Sequence, residues 1–199
     1  MDNGKFLYAL TVSAALFGSG SASAMETPTW GVQGGLTVPM GSDLTVTTAG
    51  GLNPTLGVSA DWSWVQGQTL RSRLDLSWFA QGRQTSDTPV LHQEIRTRVK
   101  TEAIGADYLF HAPCMGGRWS FGVGLGLIRW TVASSNRLEQ SNGLFLPAGP
   151  SSWTRASQSL VGTYRWNARL ESELRIVSSH YGYENLPTRT ASVNVLWHF

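Results

Sequence analysis

The sequence is poor in the features that most often betray a protein's chemistry. It has one cysteine, Cys114, so no disulfide can close within the chain. Only 14% of its 199 residues are charged, against about a quarter in ordinary soluble domains. Neither sign dominates: the formal net charge is +2 and the pI is near 8.9. So mild a balance leaves no electrostatic footprint for nucleic acid, and none is expected as a partner. Lysine is almost missing, with Lys5 and Lys100 the only two. No run of 18 apolar residues occurs after the N-terminal segment, which excludes a transmembrane helix there. Helical periodicity is scarce, no internal repeat stands out, and the length suits one domain.

The first residues read as a targeting signal. Lys5 precedes the apolar segment Phe6 to Phe17 (FLYALTVSAALF), and a small-residue stretch then ends in Ala22-Ser23-Ala24, an A-x-A cleavage pattern. Twelve apolar residues are too few to cross ~30 Å of hydrocarbon as a helix. Residues 1–24 are therefore expected to be a cleaved secretory signal peptide, with 25–199 the folded domain. No cysteine follows the cut, so no lipoprotein anchor is expected. Removing 24 residues from 199 leaves 175, with 14 basic and 12 acidic side chains.

What the sequence has in quantity is alternation. In Thr55 to Trp64, Leu56, Val58, Ala60, Trp62 and Trp64 share one face, opposite Gly57, Ser59, Asp61 and Ser63. In Leu70 to Ala80, Leu70, Leu74, Leu76 and Trp78 oppose Arg71, Arg73, Asp75 and Ser77. Period two recurs in Trp30 to Val38, Ile104 to Phe110, Trp119 to Leu127, Ser159 to Trp166, Leu170 to Ile176 and Ala191 to Phe199. That makes eight strands. The connections alternate between long (41–53, 82–98, 134–152, 179–188) and shorter (65–69, 111–118, 167–169). Short turns on one rim and long loops on the other describe an all-β, eight-stranded antiparallel up-and-down barrel.

Three features decide which face is outside. Full charges stand in mid-strand on one face only: Arg71, Arg73, Asp75, Glu171, Glu173 and Arg175. Aromatics sort by strand end, with Trp30, Trp62, Trp64, Tyr108, Phe110, Trp119, Tyr164, Trp166, Trp197 and Phe199 at the short-turn end. Trp78, Trp130 and Trp153 map to the long-loop end. Two girdles at lipid–water interfaces account for this sorting. Finally, ASVNVLWHF (191–199) alternates to its last residue, as a strand must when it closes a barrel against the first one. An open edge in lipid would leave backbone groups without partners. The expected structure is thus a transmembrane barrel with apolar side chains outward and ionised ones within.

The interior of an eight-stranded barrel is just wide enough for side chains to fill. Gly122, Gly124 and Gly126 leave room for large neighbours. Pairing Trp64 with Leu70 across the first short turn sets Asp61 opposite Arg73. Pairing Trp166 with Leu170 sets Arg165 opposite Glu171. Both are expected as cross-strand ion pairs, plugging the lumen in preference to lining a pore. After Leu127 the apolar phase slips to Ile128, Trp130 and Val132, which reads as a β-bulge or as the strand leaving the membrane. Lys100 and Glu102 fall in the outward phase and are expected above the bilayer.

The mature chain resembles the small OmpA/OmpX/OmpW-type outer-membrane barrels, on its signal segment, alternation, girdles and terminal Phe199. The resemblance implies a C-terminal assembly signal (Val195, Trp197, Phe199) read by the barrel-assembly machinery. It also implies a bacterial outer-membrane location among lipid and lipopolysaccharide, and a monomer. The function it implies is non-enzymatic: membrane integrity, adhesion or partner binding through external loops. A narrow passive channel is the alternative. A lipid A-modifying hydrolase is a third, with His180 as base near Ser178, Ser179 and Glu184; the deacylases carry a serine two residues after the histidine, where this chain has Gly182. No cofactor is expected, and His92, His111 and His198 show no metal-ligand spacing. Leu144, Phe145 and Leu146 beside Pro147, with Arg96, Arg98 and Arg137, suit contact with a partner or with lipopolysaccharide phosphates, or a loop packed on itself.

Overall fold

Alternation produces strands throughout. The computed structural model describes residues 27–40, 51–64, 68–88, 91–112, 116–138, 151–181 and 186–199. The expected signal peptide (1–24), Cys114, the apolar stretch 144–147, Gly182 and Glu184 lie outside them. The strands are β1 (Thr29–Met40), β2 (Asn53–Ser63), β3 (Thr69–Trp78), β4 (Gly82–Thr88), β5 (Leu91–His111), β6 (Trp119–Leu138), β7 (Ser151–Arg165), β8 (Leu170–Tyr181) and β9 (Leu186–His198).

All pairings are antiparallel, in the order β3-β2-β1-β9-β8-β7-β6-β5-β4, and β3 also pairs with β5. That extra pairing closes an eight-stranded barrel in which β4 continues the line of β3 along β5. The first and last strands meet as expected, with Gly31 opposite His198 and Val38 opposite Ala191. At the rim, the Phe199 N–H donates to the Trp30 carbonyl at 2.9 Å.

Three stretches read as loops are strand in part. Residues 82–88 pair with 91–97, 134–138 continue β6 against 93–97, and 179–181 pair with 186–188. The third strand line is interrupted at 79–81. There the Phe79 side chain turns inward to 7% exposure, and Asn53 staples the break: its Oδ1 accepts from the Ala80 N–H at 2.6 Å, while its Nδ2 donates to the Thr37 carbonyl at 3.2 Å. No bulge occurs at Leu127. The ladder from Leu109↔Gly122 to Val99↔Val132 runs without a break, so the slip in apolar phase is chemical and not geometric.

Candidate functional site: the lumen and the two walls

The inward positions of β2, β3, β5 and β8 converge on one charged network at mid-height. Arg71, fully buried, bonds Asp61 through Nε to Oδ1 and Nη2 to Oδ2, both at 2.8 Å. Its Nη1 reaches Glu171 Oε1 at 2.8 Å and Glu173 Oε2 at 3.2 Å. A second node is Asp107, also fully buried. It receives Arg73 Nε at 3.1 Å, Arg175 Nη1 at 2.9 Å and the Ser159 hydroxyl at 2.7 Å. Arg73 also pairs with Asp75, and Arg175 Nε with Glu173 at 2.8 Å. Each buried guanidinium thus meets at least two carboxylates, the condition under which buried charge is tolerable.

Asp107 depends on glycine. A Cβ at Gly124, directly across the ladder, would collide with the Asp107 carboxylate and the Ser159 hydroxyl. The room expected over the glycine run is filled here by a carboxylate. Sequence reasoning passed over Asp107; a carboxylate set opposite a glycine within the ladder was the available signal.

The pair expected between Asp61 and Arg73 does not form. Ser63 pairs with Thr69 and Trp62 with Leu70, which sets Asp61 opposite Arg71. The turn closes with the Trp64 N–H on the Gln68 carbonyl at 2.7 Å, so the register lies two residues from the expected one. Arg165 and Glu171 do stand opposite each other. Their closest atoms are 3.8 Å apart and Arg165 is 45% exposed, so this contact at the mouth is weak. His198 Nε2 lies 3.8 Å from the same carboxylate. A cavity of about 180 Å³ opens here, lined by Thr29, Asp61, Ser63, Thr69, Arg165 and His198. Beside it His111 joins two strands, its Nε2 paired with the Thr69 hydroxyl at 2.8 Å and its Nδ1 with the Ser120 hydroxyl at 2.7 Å.

Toward the long-loop end the interior changes character. Phe79, Val99, Ala103, Ile128, Trp130 and Val132 pack together inside, with Trp153 against them. Trp130 is completely buried and its ring centroid lies 6.1 Å from that of Phe79. Trp130 and Trp153 are therefore not girdle residues: they occupy inward positions and cap the polar core. The outward positions on the same strands are polar, including Arg98, Lys100, Glu102, Arg129 and Thr131. Lys100 Nζ lies 3.1 Å from Glu102. On β5 and β6 the wall is polar inside and apolar outside below Leu127, and above it the two faces exchange.

The outer wall below that boundary is apolar and bare: Val123 is 54% exposed, Leu125 70% and Val193 61%. Val195 and Trp197 on β9, and Phe199 just past its end, share it. Aromatic rings ring its short-turn end, with Trp30, Trp64, Phe110, Trp119, Trp166 and Trp197 all exposed, and Trp62 half-buried among them. Trp119–Tyr164 and Tyr164–Trp166 touch at 4.9 and 4.8 Å. Trp78 stands exposed at the other end. Burying so continuous an apolar surface calls for hydrocarbon. Near the long-loop end Ser178 and His180 face outward, whereas the Ser179 hydroxyl points in and donates to the Ala156 carbonyl at 2.9 Å. Among the described residues no group of His, Cys, Asp and Glu is arranged to hold a metal ion.

A closed eight-stranded antiparallel barrel, apolar outside and ionised within, has the architecture of a small transmembrane β-barrel. Among solved structures the chain is similar to Ail, the attachment invasion locus protein of Yersinia pestis, with 9% identity and a TM-score of 0.50 over 86% of this chain and 97% of that one. It is also similar to the N-terminal β-barrel domain of Pseudomonas aeruginosa OprF, with 14% identity and a TM-score of 0.47 over 85% of this chain and 97% of that one. Likeness at these identities is a likeness of fold. The sequence matches no protein-family model and no curated protein.

Proposed function

We propose that the protein is a non-enzymatic outer-membrane barrel that acts through its external surface, in adhesion, partner binding or membrane integrity, and not by conduction. The observation that carries this reading is the filled lumen. Buried Arg71 stands between the mouth cavity and a smaller one of about 40 Å³ higher up, and the Trp130 layer packs above both. Such a barrel has little interior left to work with, so its chemistry belongs to the loops and rim. Lipid and lipopolysaccharide are the surrounding partners. The outward cations Arg98, Lys100, Arg129 and Arg189 lie beyond the apolar belt, where guanidinium and ammonium groups meet headgroup phosphates. The outward stripe Val195, Trp197 and Phe199 is the assembly signal offered to the barrel-assembly machinery, and the barrel is a monomer.

The test is conductance of the purified barrel in planar bilayers, together with cell fractionation. The reading expects detergent-dependent recovery from the outer-membrane fraction and no steady conductance. Regular unitary currents would establish the channel alternative instead. Recovery in a detergent-free soluble extract would overturn the membrane reading. Hydrolysis of lipid A by Ser178 and His180 is tested by mass spectrometry of lipid A with and without His180→Ala, and unchanged acylation is expected.

A further inference from the structure

We propose that the cavity at the short-turn mouth binds one small oxyanion, a phosphate or carboxylate group, between Arg165 and His198. Its volume is about 180 Å³, and its floor is electrically balanced. Asp61, the one carboxylate on the lining, gives both oxygens to Arg71. Glu171 lies behind the lining at 1% exposure and gives Oε1 to the same guanidinium. Counting Arg71 and Arg165 against Asp61 and Glu171 leaves no net charge there, so the floor does not repel an anion.

Two groups on the lining still have hydrogen bonds to donate. His198 is only 5% exposed, yet neither ring nitrogen has a hydrogen-bond partner among the described residues. Its backbone N–H is fixed to the Arg169 carbonyl at 2.8 Å, and its ring stands 3.8 Å from Glu171. A buried ring without a partner calls for an explanation. Arg165, on the same lining, also comes no closer than 3.8 Å to Glu171. Thr29 and Ser63 add hydroxyls, Trp62 and Ala168 supply the apolar remainder, and the Thr69 hydroxyl is engaged by His111.

The rim around the cavity carries the excess charge. The Arg165 N–H donates to the Arg118 carbonyl at 2.8 Å, as the His198 N–H does to that of Arg169. Three arginines and the histidine therefore lie along one arc formed by the ends of β6 to β9. All three arginines are exposed, and no carboxylate side chain among the described residues is exposed at this end. Arg118 leans toward the Tyr164 hydroxyl, at 3.5 Å, and acts only through its field. The terminal carboxylate belongs to Phe199, which does not line the cavity. Cations clustered at the mouth of a cleft draw anions into it. The volume is that of about six liquid waters, enough for one small oxyanion with part of its hydration. A guanidinium can give two parallel bonds to a carboxylate or phosphate, and an imidazole N–H supplies a third.

The experiment titrates the full barrel in a nonionic detergent calorimetrically with sodium phosphate or sodium acetate. It runs at about pH 6.5, where histidine side chains titrate, with sodium chloride at equal ionic strength as the reference. Saturable one-to-one binding of phosphate, acetate or both is expected, and the salt that binds identifies the source of the oxyanion. Arg165→Gln and His198→Asn should each weaken it by about tenfold or more, the loss of a charge-assisted hydrogen bond. Arg118→Gln removes only screened attraction at the rim and should weaken it by less than about threefold. Arg165 is half exposed, so its variant is expected to fold, and heat-modifiable mobility on gels verifies this. The proposal is overturned if neither salt binds beyond the chloride reference, or if Arg165→Gln binds as the wild type does. It is equally overturned if Arg118→Gln weakens binding as much as Arg165→Gln, which would reduce the site to a diffuse attraction at the rim.

Discussion

Arg71 clasps Asp61 with two parallel hydrogen bonds of 2.8 Å and, with its remaining nitrogen, reaches Glu171 at 2.8 Å on the opposite wall. Strands β3 and β8 lie four places apart in a closed ring of eight, so this one side chain is a strut across the full lumen. Truncating it leaves Asp61 without its guanidinium, Glu171 with only the 3.8 Å contacts to Arg165 and His198, and Glu173 with Arg175 alone of its two arginines, whereas truncating Asp61 leaves Arg71 with Glu171 and Glu173. Arg71→Ala should cost about 3–5 kcal/mol in urea unfolding, and Asp61→Ala less. The double mutant should fall short of the sum of the two, while Asp61→Ala with Arg73→Ala should be close to additive. Additivity at 61 and 71 would remove the strut.

The Asp61 partner also shows how far the sequence could be read. Alternation fixes which face a residue occupies, but a shift of two residues leaves every face unchanged. Asp61–Arg73 and Asp61–Arg71 are therefore equally consistent with the pattern, and only the turn closure at Trp64 and Gln68 selects between them. Where the turn was three residues long, at 167–169, the register of Arg165 and Glu171 was legible. The exchange of faces above Leu127 was visible as a slip at Ile128, Trp130 and Val132, yet its cause was not. A bulge and an exchange of solvents produce the same string of letters. The strand pairing at 82–97 was hidden because its sequence (GRQTSDTPVLHQEIRT) offers no apolar alternation to signal a strand.

The glycine opposite Asp107 makes a sharp comparison possible. A methyl group at position 124 would press on Asp107 and Ser159, whereas one at Gly34 would meet only Leu56, at an ordinary 3.5 Å. Gly124→Ala should destabilise by about 1–3 kcal/mol, the usual cost of overpacking. Gly34→Ala, on the outer wall, should be near neutral. Equal effects at the two positions would show that Asp107 does not rest on Gly124.

The exchange of faces has an optical signature. Trp130 is buried inside, away from both lipid and water, whereas Trp197 is 47% exposed on the outer wall. In bilayers containing brominated lipids, Trp197→Phe should remove a quenched component of the fluorescence. Trp130→Phe should remove one that neither bromolipid nor aqueous acrylamide reaches. Trp130→Ala should cost about 3–5 kcal/mol, as large aromatic truncations in packed interiors do. Strong bromolipid quenching of Trp130 would place it in the girdle after all.

The last residue separates stability from assembly. Phe199 is held by its backbone, through its N–H to the Trp30 carbonyl, while its ring is 73% exposed. Phe199→Ala keeps the hydrogen bond and removes only surface that touches lipid. The refolded variant should therefore unfold within about 1 kcal/mol of the wild type, since little protein packing is lost. If the ring is what the assembly machinery recognises, the amount of folded barrel reaching the outer membrane in cells should nevertheless drop several-fold. Heat-modifiable mobility on gels reports the folded fraction in both settings. A barrel that assembles normally in cells would assign recognition to the rest of β9, and a barrel that fails equally in both settings would make Phe199 a folding residue.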